Sequence, residues 1–139
     1  MDKEYQIVSV DKPEWEIIGS GINEYNRQQA GDDHSQSLCF VLKAPDQEIA
    51  GGVIGIIHWN WLHVYLLWVK EGLRGRGYGD RLLRLIEDEA RQRGAGNVYL
   101  DTFSFQAPDF YKQRGYRVFG ELRDFPAGHQ RYYLTKSLD

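Results

Sequence analysis

The sequence predicts a mixed α/β domain, and three observations lead there. Two β-rich stretches, Ser37-Lys43 and Ile49-Trp59, flank the turn Ala44-Pro45-Asp46-Gln47, as in an antiparallel hairpin. The run Leu62 to Val69 is almost continuously apolar, as in a strand covered on both faces. Beyond it, Leu82, Leu83, Ile86 and Ala90 recur at helical spacing.

Taken in order, residues 5–10 read as a short strand. Residues 13–29 open with a proline and carry Trp15, Ile18, Ile22 and Tyr25 at helical spacing, weakened by Gly19 and Gly21. Gly31-Asp32-Asp33-His34 is a loop before the hairpin, and the two tryptophans flanking Asn60 belong near a hairpin tip. His63 interrupts the apolar run. Residues 80–93 form the amphipathic helix, with Glu87 and Arg91 as an outward i,i+4 pair and Gly94 as its stop. A strand at 97–103, a short helix at 107–114 opened by Pro108 and closed by Gly115, and strands at 117–122 and 131–138 complete the chain.

With 139 residues, no repeat and no linker-like tract, one domain spanning 1–139 is expected. The single cysteine, Cys39, excludes an intrachain disulfide, and its apolar neighbours suggest a buried thiol in a reducing cytoplasm. The first residues lack the character of a signal peptide, and no window reaches the roughly 18 apolar residues of a membrane span. A net charge of −3 disfavours a broad grip on nucleic acid and is compatible with cationic amine substrates. A soluble cytoplasmic protein without nucleic-acid or membrane partners, monomeric or homodimeric, is the expectation.

The chemistry concentrates between residues 62 and 93, where an apolar strand, the turn Arg74-Gly75-Arg76-Gly77-Tyr78-Gly79 and a helix follow one another. Glycines allow close approach of phosphates, while successive N–H groups and the positive end of the helix dipole favour negative charge. Arg74 and Arg76 add charge-assisted donors. A plain glycine turn is the competing account. The spacing is not the G-x-G-x-x-G of dinucleotide folds, and no Gly-Lys-Ser/Thr of a P-loop occurs. A faint likeness to Arg-Gly RNA-binding segments is confined to one copy in an acidic chain.

The turn resembles the Q/R-x-x-G-x-G/A signature of the GNAT superfamily of acyl-CoA-dependent N-acetyltransferases. A second element of that family, Y-x-x-x-G-F/Y, is matched downstream by Tyr111-Lys112-Gln113-Arg114-Gly115-Tyr116. The resemblance implies a splayed, mostly antiparallel sheet flanked by helices, with acetyl-CoA as cosubstrate; no metal is expected, since His58 and His63 lack a helical i,i+4 pattern and there is no second cysteine. Its pyrophosphate would lie on N–H groups from Gly75 to Asp80, and its pantetheine arm would pair like a strand with the backbone near Leu67 and Val69. One of those N–H groups would polarise the thioester carbonyl. Relatives often carry Asn seven residues before the motif tyrosine, where this chain has Ser104, so a pantetheine contact there is open.

Acyl transfer needs a neutral amine, and an alkyl ammonium of pKa about 10.4 costs roughly 4 to 5 kcal/mol to deprotonate at pH 7. A base is therefore expected. His63 lies fourteen residues before Gly77, where histone-acetylating relatives carry a glutamate, and strict alternation puts it on the face of Leu67 and Val69. The alternatives are a core histidine bonded to a carbonyl, Asp101 acting through water, or water itself. Tyr111 resembles the family tyrosine that donates to the departing thiolate, with simple packing between helix and sheet as the other account. His34, Asp32 and Asp33 stand as possible acceptor-facing loop groups, and Glu87-Asp88-Glu89 reads as a solvated helix face. A coenzyme-binding or sensing module on the same fold remains the alternative to an enzyme. The acceptor, a small-molecule or protein amine, carries no motif.

Overall fold

The computed structural model describes residues 4–139 of the chain. The chain divides into two compact units, with the boundary in sequence between Asp32 and Asp33. The first contains helix α1, Trp15–Ala30, close to the predicted helix. Glu24 pairs with Arg27 at 2.7 Å on its surface, and Gly31, at φ 82°, ends it with an N–H bond to the Arg27 carbonyl. Residues 5–10 form no strand, contrary to expectation. An apolar alternation makes a strand only when a neighbouring backbone supplies the ladder, and none does so among the described residues.

The second unit is a six-stranded sheet with two α-helices. Its strands are β1 (Gln36–Lys43), β2 (Ile49–His58), β3 (Trp61–Val69), β4 (Asn97–Phe103), β5 (Arg117–Arg123) and β6 (Gln130–Ser137), in the order β1-β2-β3-β4-β6-β5. Helix α2 is Tyr78–Gln92 and helix α3 is Pro108–Lys112. Trp59 and Asn60, at φ 47° and 63°, make the tight turn between β2 and β3, which places the tryptophan pair at a hairpin tip as expected. All pairings are antiparallel except β3 with β4. That parallel pair is short: Trp61, Leu62 and His63 oppose Asn97, Val98 and Tyr99, and beyond them the strands are unpaired with each other. The sheet is splayed at that point.

A bulge in β3 sets which side chains face where. Ile54 opposes Leu66 and Gly55 opposes Val64, leaving Tyr65 as an extra residue. Leu62 and Val64 are fully buried before the bulge, and after it Leu67 and Val69 turn to that same core face. His63 consequently stands on the other face from Leu67 and Val69, which corrects the expectation drawn from strict alternation. Tyr65, Leu66 and Trp68 are exposed, so the run is not covered on both faces as its composition suggested.

The core lies between the sheet and α2. Leu82, Leu83, Ile86 and Ala90 of α2 are buried, as their spacing predicts, against Val53, Ile57, Leu62, Val98 and Leu134. Burying one such large side chain contributes roughly 1.5 to 3 kcal/mol. Gly55 lets the helix approach: a Cβ there would lie 2.9 Å from both the His63 carbonyl and the Ile86 side chain. Glu87 is also buried, not solvated, and its carboxylate accepts from Tyr116 Oη at 2.6 Å and from Lys136 Nζ at 2.9 Å. Arg91 turns instead to Asp88 at 2.6 Å and to the Leu138 carbonyl. Cys39 is exposed, because Leu38 and Phe40 on either side take the core face of β1.

Candidate active site

The glycine turn joins the end of β3 to α2. Gly75 and Gly77 adopt left-handed φ of 79° and 86°, and a Cβ at either would meet no atom within 4 Å. Backbone conformation, not crowding, calls for glycine there. Gly77 caps α2, whose first bond back is from Arg81 N–H to the Gly77 carbonyl at 3.1 Å. The N–H groups of Tyr78, Gly79 and Asp80 therefore begin the helix without intrahelical partners, at the positive end of its dipole. These groups fit a phosphate. Arg74 Nε donates to the Val69 carbonyl at 2.9 Å and ties the turn to β3.

Helix α3 closes the other side. Arg114, just after it, donates from Nε to Asp80 Oδ1 at 2.7 Å and from Nη1 to the Phe110 carbonyl at 2.8 Å, with its guanidinium 3.8 Å from the Phe110 ring centroid. That hydrogen bond, with Arg84 also beside it, holds the Asp80 carboxyl below the usual carboxylate range. The Asp80 side chain is thus committed to arginines, leaving its N–H as the group that faces a ligand.

Two adjoining cavities make one cleft. A cavity of about 450 Å³ lies along Gly75, Gly77, Gly79 and Phe110, and one of about 410 Å³ lies where β3 leaves β4, along Tyr65, Trp68, Asp101, Thr102 and Gln106. Both are lined by Leu67, Val69, Arg74, Ala107 and Tyr111. From Val64 to Val69 the edge of β3 toward β4 has no strand partner, so an extended ligand arm can pair there. The cleft runs from a helix N-terminus to the splay, a course suited to an elongated, phosphate-bearing ligand.

Most of the predicted residues converge on it. Leu67, Val69, Arg74, Gly75, Gly77, Tyr78, Gly79, Asp80, Asp101 and Tyr111 all line the cleft. Tyr111 is 8 % exposed, and burial, with the Asp101 charge adding to it, pushes its phenol up to about 12. Arg76 does not line either cavity. Nor does Ser104, whose Oγ accepts from Gln130 N–H at 3.0 Å and whose own N–H bonds the Gln130 carbonyl at 2.8 Å.

His63 lies off the cleft wall, on the face shared by Tyr99 and Asp101. Its ring is 4.1 Å from Tyr65 and 4.3 Å from Tyr99 by centroids, stacked on the latter. Burial lowers its pKa below the ordinary histidine value, Asp101 opposes that shift, and His58 adds to it. The imidazole is therefore neutral at pH 7. His34, Asp32 and Asp33 do not line either cavity.

Sequence reasoning missed Arg114, Phe110, Gln106 and Arg131. Arg114 falls at a variable place inside the second motif, where only its ion pair with Asp80, 34 residues away, gives it meaning. Gln106 Oε1 accepts from Phe103 N–H at 2.7 Å and from Thr102 Oγ1 at 3.2 Å, shaping the wall beside Asp101. No cluster of metal-ligating side chains occurs among the described residues.

Comparisons with known proteins give the family and the fold. The family model described as acetyltransferase (GNAT) family matches residues 3–116. The chain is similar to a blasticidin-S acetyltransferase of Streptomyces morookaense, 45% identical over 92 residues that cover 66% of this chain and 68% of that protein. An acetyltransferase of Agrobacterium fabrum is 33% identical over 112 residues, covering 81% and 82% of the two chains. The crystal structure of an acetyltransferase from Bacillus cereus superposes with a TM-score of 0.88 at 36% identity, over 96% of this chain and 97% of that one.

Proposed function

Because the chain belongs to the acetyltransferase (GNAT) family, we propose that it transfers an acetyl group from acetyl-CoA to a primary amine of a small cationic molecule, by direct attack in a ternary complex. Residues 1–139 act as one acetyltransferase domain in the cytoplasm. The observation that carries this reading is the continuous cleft from the N-terminus of α2 to the splay of β3 and β4, with Tyr111 on the wall of both halves.

The N–H groups of the Gly75–Asp80 turn and Arg74 hold the pyrophosphate, and the free edge of β3 near Leu67 and Val69 takes the pantetheine arm. An N–H of that edge polarises the thioester carbonyl. Arg76 and Ser104, both off the cleft wall, contribute to the coenzyme site less than the motif suggested. The amine lone pair attacks the thioester carbon, the carbon–sulfur bond breaks, and the sulfur leaves as thiolate. Tyr111 Oη donates a hydrogen bond to that sulfur. The amine sheds one proton before attack and a second from the newly acylated nitrogen. Asp101 faces the ammonium from the cleft wall; the first proton is lost to solvent before attack, and the second passes by way of water to neutral His63, which lies off the wall within reach of the Asp101 charge.

The relative named for blasticidin S directs attention to compact, positively charged acceptors, which suit a chain of net charge −3. The test is CoA release from acetyl-CoA with blasticidin S, spermidine and simple alkyl amines, with the acetylated product confirmed by mass spectrometry. Turnover with a primary amine supports the reading. Tight acetyl-CoA binding with no acetylated product from any of these amines overturns it in favour of a coenzyme-binding module.

A further inference from the structure

Arg131 enters β6 opposite Phe103, two residues from the strand partner of Asp101. Its Nε and Nη2 both reach the same carboxylate oxygen, Asp101 Oδ2, at 2.7 and 2.6 Å. Oδ1 of that carboxylate makes no hydrogen bond or ion pair among the described residues, on a side chain that lines the cleft. The guanidinium is itself confined. It lies 5.3 Å from the Phe103 ring, 5.1 Å from Phe125 and 5.4 Å from Tyr133, three rings contributed by β4, the β5–β6 connection and β6.

A cation lodged among three aromatic rings and forked onto one oxygen has little freedom to swing away. Its partner carboxylate is then held by one end only. An aspartate without that tether would rotate about its side-chain bonds and offer either oxygen in several orientations, and ordering it would cost part of the binding free energy of each incoming amine. The surrounding groups do not supply the tether: His63 stacks on Tyr99, and Tyr111 approaches from α3 as a donor already assigned to the leaving sulfur.

We propose that Arg131 is a positioning residue for the acceptor: by fixing Asp101 Oδ2 within its aromatic sleeve, it reserves Oδ1 for the ammonium of the incoming amine. This rests on the reading of the cleft as an amine acetyltransferase site. The consequence is a division of labour in which acceptor affinity depends on a residue that touches neither substrate, while acetyl-CoA affinity does not.

The test compares wild type with Arg131→Met, Arg131→Lys, Asp101→Asn and the double variant Asp101→Asn/Arg131→Met. The probe acceptor is the amine with the highest kcat/KM among blasticidin S, spermidine and alkyl amines. Arg131→Met is expected to raise acceptor KM about 10- to 100-fold, the scale of one hydrogen bond to a charged group, with acetyl-CoA Kd unchanged by calorimetry. Arg131→Lys restores the charge without the fork and recovers only part of the loss. The double variant should be no worse than Asp101→Asn alone, since the arginine acts through that carboxylate. Folding of each variant is checked by circular dichroism and melting. Unchanged acceptor KM in folded Arg131→Met, or a double variant whose losses add, overturns the inference while leaving the enzyme reading intact. Wild type that acetylates none of the amines overturns the reading and the inference together.

Discussion

Replacing Tyr111 by phenylalanine isolates one oxygen in the cleft. The ring packs with centroids 5.1 Å from Phe110 and 5.7 Å from Tyr116, and those contacts survive the substitution. The phenol is pushed up to about 12, whereas a thiol ordinarily titrates near 8.5, so full transfer of the phenolic proton to the departing sulfur is uphill by about 5 kcal/mol. Tyr111 thus stabilises the thiolate as a hydrogen-bond donor and keeps its proton until the coenzyme leaves. A hydrogen bond to a charged group contributes about 1.5 to 3 kcal/mol, so kcat should fall roughly 10- to 150-fold. Acetyl-CoA affinity should be almost unchanged. The assay is single-turnover transfer to saturating amine with chemical quench, which separates chemistry from CoA release. Because the folded phenol ionises only near 12, wild type should show no rate loss from this group between pH 7 and 10. An unchanged single-turnover rate in the variant would refute the donor role. So would an alkaline limb near pH 8 to 9 that disappears on substitution.

Other outcomes follow from the same geometry. Gly79→Glu has room, with Phe110 as the nearest neighbour at 3.6 Å, and its carboxylate complements the helix dipole; melting temperature should hold while acetyl-CoA Kd rises about tenfold or more through repulsion of the phosphates. Since the folded-state pKa of His63 is lowered by burial, its neutral form stabilises the fold fully above the unfolded value of about 6.5 and that contribution is lost as pH falls toward the folded value. Urea melts should therefore show a smaller loss between pH 7 and 5.5 for His63→Gln than for wild type, and equal slopes would contradict the burial. If His63 takes the amine proton, the acid limb of kcat lies below about 6.5 in wild type and is absent in His63→Gln. Glu87→Leu leaves Lys136 without its carboxylate and should cost about 3 kcal/mol by chemical denaturation, with kinetic constants per folded molecule little altered.

Where a feature depends on residues close in sequence, the chain could be read directly. The stripe of α2 emerges because four buried side chains recur along one short helix, and the glycine turn because left-handed backbone favours glycine at two places. The Tyr111 motif places that residue on the cleft for the same local reason. Features that depend on distant partners were opaque. Glu87 looked like a surface charge because Tyr116 and Lys136, which occupy it, lie 29 and 49 residues away. Residues 5–10 have the alternation of a strand, but alternation supplies no partner. The bulge was hidden for another reason: in a run where nearly every residue is apolar, an extra one leaves no break in the pattern. That hid the side of the sheet on which His63 stands.

The bulge at Tyr65 also makes the site sensitive to length in a way that its composition conceals. Tyr65 is half exposed and bears no burden in the core, so exchanging it for another side chain should leave the fold intact. Removing its codon is a different matter. With Tyr65 gone, Val64, Leu66 and Leu67 would alternate core, outside, core, so Leu67 and Val69 would keep their face, and what would be lost is the bend that the extra residue puts into β3. The extra residue is therefore a matter of shape: its deletion should leave the core packed while straightening β3 toward β4, at the expense of the space between them.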